Sequence, residues 1–200
     1  LDLITVAAEN RQLAAYLILM LWLAALFWLA LYQKTGKGII TNKIMLGIVG
    51  ALVLVPMAVS VMTIKISHLY FLLSLVLVVS CADIFAFVGG KLFGRHKLMD
   101  KVSPGKTWEG LIFGVSGAMV IGNLLYLVSP TLNLYIWNAV VAMTTLAAVV
   151  GDLFESMIKR FRKVKNSGSV LPGHGGILDR FDGILLGLPF GFILIALYLS

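Results

Sequence analysis

Charged residues are scarce in this chain of 200 residues, at 12% of the sequence. Soluble globular proteins carry about 25% charged residues and about 45–50% apolar ones, whereas 60% of this chain is hydrophobic. A soluble protein of this size cannot bury that much apolar surface, so the composition excludes a soluble domain and predicts that lipid surrounds most of the chain. Cysteine is nearly absent too, because Cys81 stands alone, which excludes an internal disulfide.

The sequence contains six long apolar runs. A helix needs about 20 apolar residues to cross a bilayer, and runs of about that length lie near 13–32, 44–62, 69–88, 110–128, 135–151 and 183–199. The predicted fold is therefore all-α, a polytopic integral membrane helical bundle with six transmembrane helices. The chain begins at Leu1, and no cleavage pattern follows the first run, so we expect a true span with further protein ahead of it.

The basic residues are concentrated in alternate loops. Of the 16 lysines and arginines, 14 lie in the loops that follow the first, third and fifth runs. This alternation is the positive-inside pattern, so we expect those three loops to face the cytoplasm. Topology and attraction to anionic lipid head groups explain the first of these loops. They explain the other two poorly, because those loops also contain acids and glycines.

Acidic side chains adjoin the apolar runs at several points. Asp83 lies inside the third run, Asp152 ends the fifth, and Asp179 and Asp182 open the sixth. A carboxylate at membrane depth is costly and usually faces a polar cavity with a partner. Each single acid has the alternative of capping a helix or pairing with a lysine. Because Asp179 and Asp182 share one helical face, the acids together favour a site for a hard cation such as Mg²⁺.

Two segments rich in glycine and basic residues stand beside these acids. Residues 103–110 (SPGKTWEG) offer Ser103, a flexible turn and Lys106 just before a predicted helix. Residues 171–182 (LPGHGGILDRFD) offer three glycines, including Gly175 and Gly176, before the start of the sixth helix. Neither segment is a Walker loop. Phosphate-binding turns, carboxylates and a membrane face together indicate a site for nucleotide phosphate, metal and lipid.

The order of residues from Ser156 to Asp182 resembles the signature of the phosphatidate cytidylyltransferases (CDP-diacylglycerol synthases) of bacteria. The matching residues run Ser156-Met-Ile-Lys159-Arg160, then Lys165-Asn166, then Leu171-Pro-Gly-His-Gly-Gly-Ile-Leu-Asp-Arg-Phe-Asp182. Residues 81–91 (CADIFAFVGGK) and 103–110 look like the same family. The resemblance extends from the third run to the end of the chain, whereas the first two runs match only as membrane helices.

The resemblance implies that CTP and phosphatidic acid react to CDP-diacylglycerol and pyrophosphate with Mg²⁺, a second cation such as K⁺ being a further option. It implies a homodimer in the inner membrane of a bacterium, with the active site on the cytoplasmic face and no nucleic-acid partner. We expect one membrane domain over residues 1–200. Within it, 1–66 would hold the first two spans, and 67–200 the catalytic region with cytoplasmic loops 89–109 and 152–182.

The resemblance and the residue patterns together predict the site residues. The predicted catalytic residues are Asp152, Lys159, Arg160, His174, Asp179, Arg180 and Asp182, and the metal ligands among them are Asp152, Asp179 and Asp182. The predicted substrate-binding residues are Asp83, Ser103, Lys106, Lys165, Gly175 and Gly176. Asn166 departs from the family, which usually has Asp there. That Asp is either a metal ligand, which would weaken metal binding here, or a turn cap, which would make the change nearly neutral.

Two other kinds of protein compete with this interpretation. A CDP-alcohol phosphotransferase shares part of its DxxDG pattern with residues 179–183, but the acids it needs downstream are missing. A membrane transporter would also place acids in its spans, although it would scatter polar residues along a path through the bilayer. The glycines at 183, 187 and 191 predict close helix contact, either within the chain or at a dimer seam.

Overall fold

Six helices and one short β-hairpin make up the computed structural model, which describes residues 11–36, 43–67, 69–130, 132–162 and 178–198. The elements are α1 (Arg11–Thr35), α2 (Lys43–Ser67), α3 (Leu69–Phe93), β1 (Lys97–Met99), β2 (Ser103–Thr107), α4 (Trp108–Val128), α5 (Leu134–Phe161) and α6 (Leu178–Tyr198). Each helix contains one of the six predicted apolar runs. The prediction of an all-α polytopic membrane protein is confirmed.

Four segments of the described chain are long and apolar enough to cross a membrane. They are Ile18–Thr35 of α1 and the whole of α3, α4 and α5. The other two helices carry shorter apolar stretches, Gly47–Ala58 in α2 and Asp182–Phe192 in α6. Pro56 and Pro189 lie inside these last two helices, and each removes one backbone hydrogen bond from the helix interior. The protein is thus a helical membrane protein.

Small residues let two pairs of helices pack closely. A Cβ atom added to Gly114 of α4 would lie 3.0 Å from the Cβ of Ala86 on α3. One added to Gly187 of α6 would lie 3.2 Å from the Cβ of Ala148 on α5. Such spacing leaves no room for a larger side chain, as expected where backbones approach closely in lipid. The glycine stripe of α6 therefore packs within the chain, which was one of the two predicted outcomes.

The buried apolar side chains form two clusters. The larger one joins α3, α5 and α6 and includes Leu75, Val141 and Leu188. The smaller one lies among α1, α5 and the hairpin and includes Leu29 and Val102. Since α1 and α5 meet the hairpin in this second cluster, it fixes the hairpin against the helices.

Within the described residues, the hairpin is the one element that the all-α prediction missed. Its strands pair antiparallel, with Lys97 opposite Thr107 and Met99 opposite Ser103, and the register shifts between these pairs. One strand has only three residues and neither shows the apolar alternation that marks a strand. The pairing instead depends on contacts with distant helices, which residues 89–109 do not reveal by themselves.

Candidate active site

The last turns of α5 carry a polar face. Ser156 donates a hydrogen bond of 3.4 Å from its Oγ to Oδ1 of Asp152. Lys159 Nζ lies 3.4 Å from Oε2 of Glu155, as an i,i+4 ion pair with both side chains 16% exposed. These four residues follow the i, i+3, i+4 and i+7 spacing of one helical face. The helix therefore presents acids and a lysine side by side where its apolar part ends.

The hairpin brings a second lysine to this face. Lys106 of β2 forms an ion pair with Oδ2 of Asp152, and both side chains are about one-quarter exposed, at 24% and 25%. Thr107 then caps α4, since its Oγ1 accepts a hydrogen bond of 3.1 Å from the backbone N–H of Gly110. The strand and the cap that follows it thus fix the backbone on which Lys106 stands.

Carboxyl groups from three helices meet in one polar cavity. The cavity has a volume of about 510 Å³ and is lined by Asp83 of α3, Asp152 of α5 and Asp182 of α6. Ser103 and Lys106 of the hairpin line its other side. Asp83 Oδ2 lies 3.6 Å from the position that a Cβ atom on Gly183 would occupy, so the carboxyl group of α3 lies beside the start of α6. Five of the predicted site residues thus share one cavity.

A second cavity lies on the other side of Asp182. Its volume is about 280 Å³, and Val49 and Val53 of α2 and Leu186 of α6 contribute to its apolar wall. Charged side chains from the end of α5 and the start of α6 also line it, namely Glu155, Lys159, Arg162 and Asp182. The two helices run antiparallel, because Gly151 faces the backbone of Asp182 and Ala148 faces Gly187. These charges therefore gather at one end of an otherwise apolar cavity.

Asp182 lines both cavities, and Glu155 lines the apolar one. Their carboxyl groups are close enough to interact directly, and Asp152 acts on Asp182 through its charge. Oδ1 of Asp182 also accepts a hydrogen bond of 2.8 Å from the backbone N–H of Gly183. Glu155 is three residues after Asp152 in the sequence, but it is not among the predicted site residues.

Arg160 and Arg162 differ in their surroundings. Nε of Arg160 donates a hydrogen bond of 3.4 Å to the carbonyl oxygen of Val102 at the hairpin tip, and the residue lines neither cavity. Arg162 lines the apolar cavity, although it is not among the predicted site residues. Its spacing of seven residues from Glu155 and three residues from Lys159 is the signal that continues the polar face of α5.

Several predicted site residues lie outside the part of the chain that can be described. Lys165, Asn166, His174, Gly175 and Gly176 belong to residues 163–177, which are not described. Asp179 and Arg180 stand in the first turn of α6, but their side chains are likewise outside the described set. Their predicted roles stay predictions.

The cavity acids have the chemistry of a magnesium site, since hard cations bind carboxylate oxygens together with substrate phosphates. Asp152 and Asp182 face the same space, and both are predicted ligands. Among the described side chains, no group of three or more acids, histidines or cysteines is already arranged around a single ion position. Lys106 occupies one carboxylate oxygen of Asp152, so a cation on that oxygen would have to replace the lysine.

A family model and several relatives of known name agree on the family to which this chain is similar. Residues 3–198 match the family model described as the cytidylyltransferase family. A phosphatidate cytidylyltransferase of Rickettsia bellii is 35% identical over 92% of this chain and 87% of its own length. One from Haemophilus influenzae is 34% identical over 95% of this chain and 70% of its own length. One from Staphylococcus aureus is 43% identical over 60% of this chain and 47% of its own length. With nearly its whole length matched, the chain belongs to the cytidylyltransferase family.

Proposed function

We propose that the protein transfers the cytidylyl group of CTP to phosphatidic acid, giving CDP-diacylglycerol and pyrophosphate for phospholipid synthesis. The observation that carries this proposal is the position of Asp182, which lines both a polar cavity and an apolar one. The triphosphate of a nucleotide is charged and the acyl chains of a lipid are apolar, so each substrate matches one cavity. Their reacting phosphates must come together, and Asp182 borders both cavities. The names of the relatives state the same activity.

The polar cavity suits the triphosphate of CTP. Lys106 supplies a positive charge, and Ser103 and Gly105 line the same wall. The glycine lets a phosphate approach the backbone, because no side chain projects there. When the triphosphate enters, the ammonium group of Lys106 exchanges its partner Asp152 for phosphate oxygens. The charge that leaves with pyrophosphate is then partly neutralised by a residue that is already in place.

The apolar cavity suits the lipid. Its walls match acyl chains, and Lys159 and Arg162 at its charged end match the phosphate of phosphatidic acid. Arginine in particular binds phosphate through a planar fork of N–H donors. The phosphate is already an anion, so attack on the α-phosphorus of CTP needs no strong general base. Holding the two phosphates in line is therefore the main contribution of the protein.

Mg²⁺ belongs to this proposal as the cofactor. Asp152 and Asp182 would hold it, and Asp179 is the third predicted ligand. When bound, the ion neutralises phosphate charge and orients the nucleotide. A second cation such as K⁺ is a further option in the same acidic surroundings.

The cellular arrangement follows from the charge pattern. With the basic loops facing the cytoplasm, we propose that both cavities open toward the side where CTP is available. We propose that the membrane is the inner membrane of a bacterium, in line with the bacterial sources of the relatives. We propose a homodimer as well. Because the glycine stripe of α6 packs against α5, the dimer contact would use another surface, and chemical cross-linking in membranes tests it.

One assay tests the reaction directly. The purified protein receives CTP labelled at the α-phosphorus, phosphatidic acid and Mg²⁺, and the label is then followed into the lipid extract. We expect one pyrophosphate for each labelled lipid. Diacylglycerol, which has the same acyl chains without the phosphate, serves as the control and should take up no label. Pyrophosphate released without labelled lipid, or labelling of diacylglycerol, would contradict the proposal.

A further inference from the structure

The tip of the hairpin is anchored in the helical bundle. Val102 is fully buried, with 0% of its surface exposed, and its cluster includes Leu29 of α1 together with Phe154 and Met157 of α5. A buried valine at a loop tip acts as an apolar plug, since removing it from the cluster would expose its side chain to water. The plug lies four residues before Lys106.

Gln33 at the end of α1 binds the same tip with both ends of its amide. Its Nε2 donates a hydrogen bond of 3.1 Å to Oδ1 of Asp100. Its Oε1 accepts one of 3.3 Å from the backbone N–H of Lys101. Nζ of Lys101 in turn donates a bond of 2.9 Å to the carbonyl oxygen of Lys34. The end of α1 and the hairpin tip are thus joined by three hydrogen bonds.

The base of the hairpin is held from the other side. The carboxylate of Glu109 accepts hydrogen bonds from the backbone N–H groups of Arg95, at 3.1 Å, and of His96, at 3.2 Å. It also lies 2.7 Å from Nδ1 of the His96 ring. Lys106 therefore lies between two fixed points of the chain. It stands four residues after Val102 and three residues before Glu109.

We infer that Val102 and Gln33 are positioning residues, which dock the hairpin on α1 and α5 and thereby hold Lys106 against Asp152. On this basis α1, which carries none of the family signature, is part of the framework of the site. The kinetic part of the inference rests on the proposed function, whereas the docking itself does not. Displacement of a catalytic group by about 1 Å can cost about a hundredfold in rate, so a loosened hairpin should affect the nucleotide step strongly.

The first test compares two valine truncations. V102A removes the plug, and V140A removes the same atoms from Val140, which is equally buried but belongs to the other core cluster. We expect V102A to lower kcat/KM for CTP about tenfold and to leave KM for phosphatidic acid nearly unchanged. V140A should lower the thermal stability of the protein without this selective effect. Equal effects of the two variants on kcat/KM for CTP would overturn the inference.

The second test exchanges the hydrogen-bond donor at the tip. Q33E places a carboxylate opposite Asp100 and should lower kcat/KM for CTP through repulsion. D100N alone keeps an acceptor for the Gln33 amide, so we expect activity near that of the unmodified protein. The Q33E/D100N double variant restores the hydrogen bond with its donor on the other side chain. Failure of the double variant to recover activity lost in Q33E would refute a role for this contact.

Proteolysis separates the docking from the reaction. Trypsin cuts after Lys101 and Lys106 only when the local chain opens, and mass spectrometry of the full-length protein in lipid discs gives the cleavage rate. We expect faster cleavage in V102A and Q33E and unchanged cleavage in V140A. If the unmodified protein showed no CTP-dependent turnover, the proposed function would fail while this comparison still decided the docking. Equal cleavage rates in all variants would show that Val102 and Gln33 do not hold the hairpin.

Discussion

Replacing Lys106 by methionine tests the electrostatics of the site most directly. Lys106 is the partner of Asp152 in an ion pair that is about three-quarters buried on both sides, and it lines the cavity that also holds Asp83 and Asp182. K106M keeps most of the side-chain volume but removes the charge. Asp152 then faces two other carboxylates without its cation.

The expected loss has two separate parts. Breaking a fully buried ion pair by removing one partner costs about 3–5 kcal/mol, and exposed pairs contribute about 0–1 kcal/mol. For a pair with this partial exposure we expect about 1–2 kcal/mol of folding stability to be lost. Losing one charged contact to the reacting phosphates should cost a further ~3–4 kcal/mol of transition-state stabilisation, or a factor of about 10²–10³ in kcat.

A double variant distinguishes the two parts. K106M/D152N removes both charges, so most of the lost stability should return, whereas activity should stay low. Thermal unfolding in detergent gives the stability, and the labelled-CTP assay gives kcat and KM. K106R keeps the charge and should retain more activity than K106M. Activity of K106M within about threefold of the unmodified protein would refute the role of Lys106 as a phosphate ligand.

Three further predictions concern the acids, the lipid cavity and the topology. D182N should abolish turnover while the protein still inserts and purifies, and D100N at the exposed hairpin tip is its control; near-normal activity of D182N would remove this carboxylate from the site. R162A should raise KM for phosphatidic acid severalfold and leave KM for CTP unchanged, and equal changes in both constants would contradict a lipid-phosphate site there. A single cysteine in place of Lys97, in a Cys81→Ala background, should react with a membrane-impermeant thiol reagent only from the cytoplasmic side, and labelling from the opposite side alone would reverse the topology.

The sequence predicts the helices well because a bilayer imposes a length and an apolar composition on each span. It locates their ends less well. The apolar run of α5 ends at residue 151, whereas the helix continues to Phe161. Hydrophobicity reports where lipid ends, but a helix continues as long as its backbone hydrogen bonds and pairs such as Glu155 with Lys159 support it.

Contacts between distant segments account for what the sequence could not predict. The hairpin forms because Val102 finds a pocket between α1 and α5, and no pattern within residues 89–109 indicates that pocket. That Asp83 and Asp182 share a cavity likewise depends on how α3 and α6 pack, since the Asp83 carboxyl group lies beside Gly183. The acids and lysines in the sequence predict a polar site, but only the packing of the helices shows which acids share it.

The two arginines at the C-terminal end of α5 show what the helical spacing of residues can predict. The family signature includes Arg160, yet its Nε binds the backbone of the hairpin tip. Asp152, Glu155 and Lys159 define a face that reaches Arg162 after one more turn, since successive members stand three or four residues apart. Arg162 thus continues the polar face of α5 into the apolar cavity, which it lines, whereas Arg160 contacts the hairpin tip.

The charged side chains of the polar cavity bear on which form of CTP it would bind. Asp83, Asp152 and Asp182 line it together with Lys91 and Lys106, so three carboxyl groups share this cavity with two ammonium groups. Each ionised carboxylate there repels the phosphates of a free triphosphate, because like charges at short range in a partly buried site are poorly screened. Asp152 and Asp182 would hold Mg²⁺ here, which would offset this repulsion and would compete with Lys106 for the Asp152 carboxylate. We therefore expect the magnesium complex of CTP, and not free CTP, to be the form of the nucleotide that binds in this cavity.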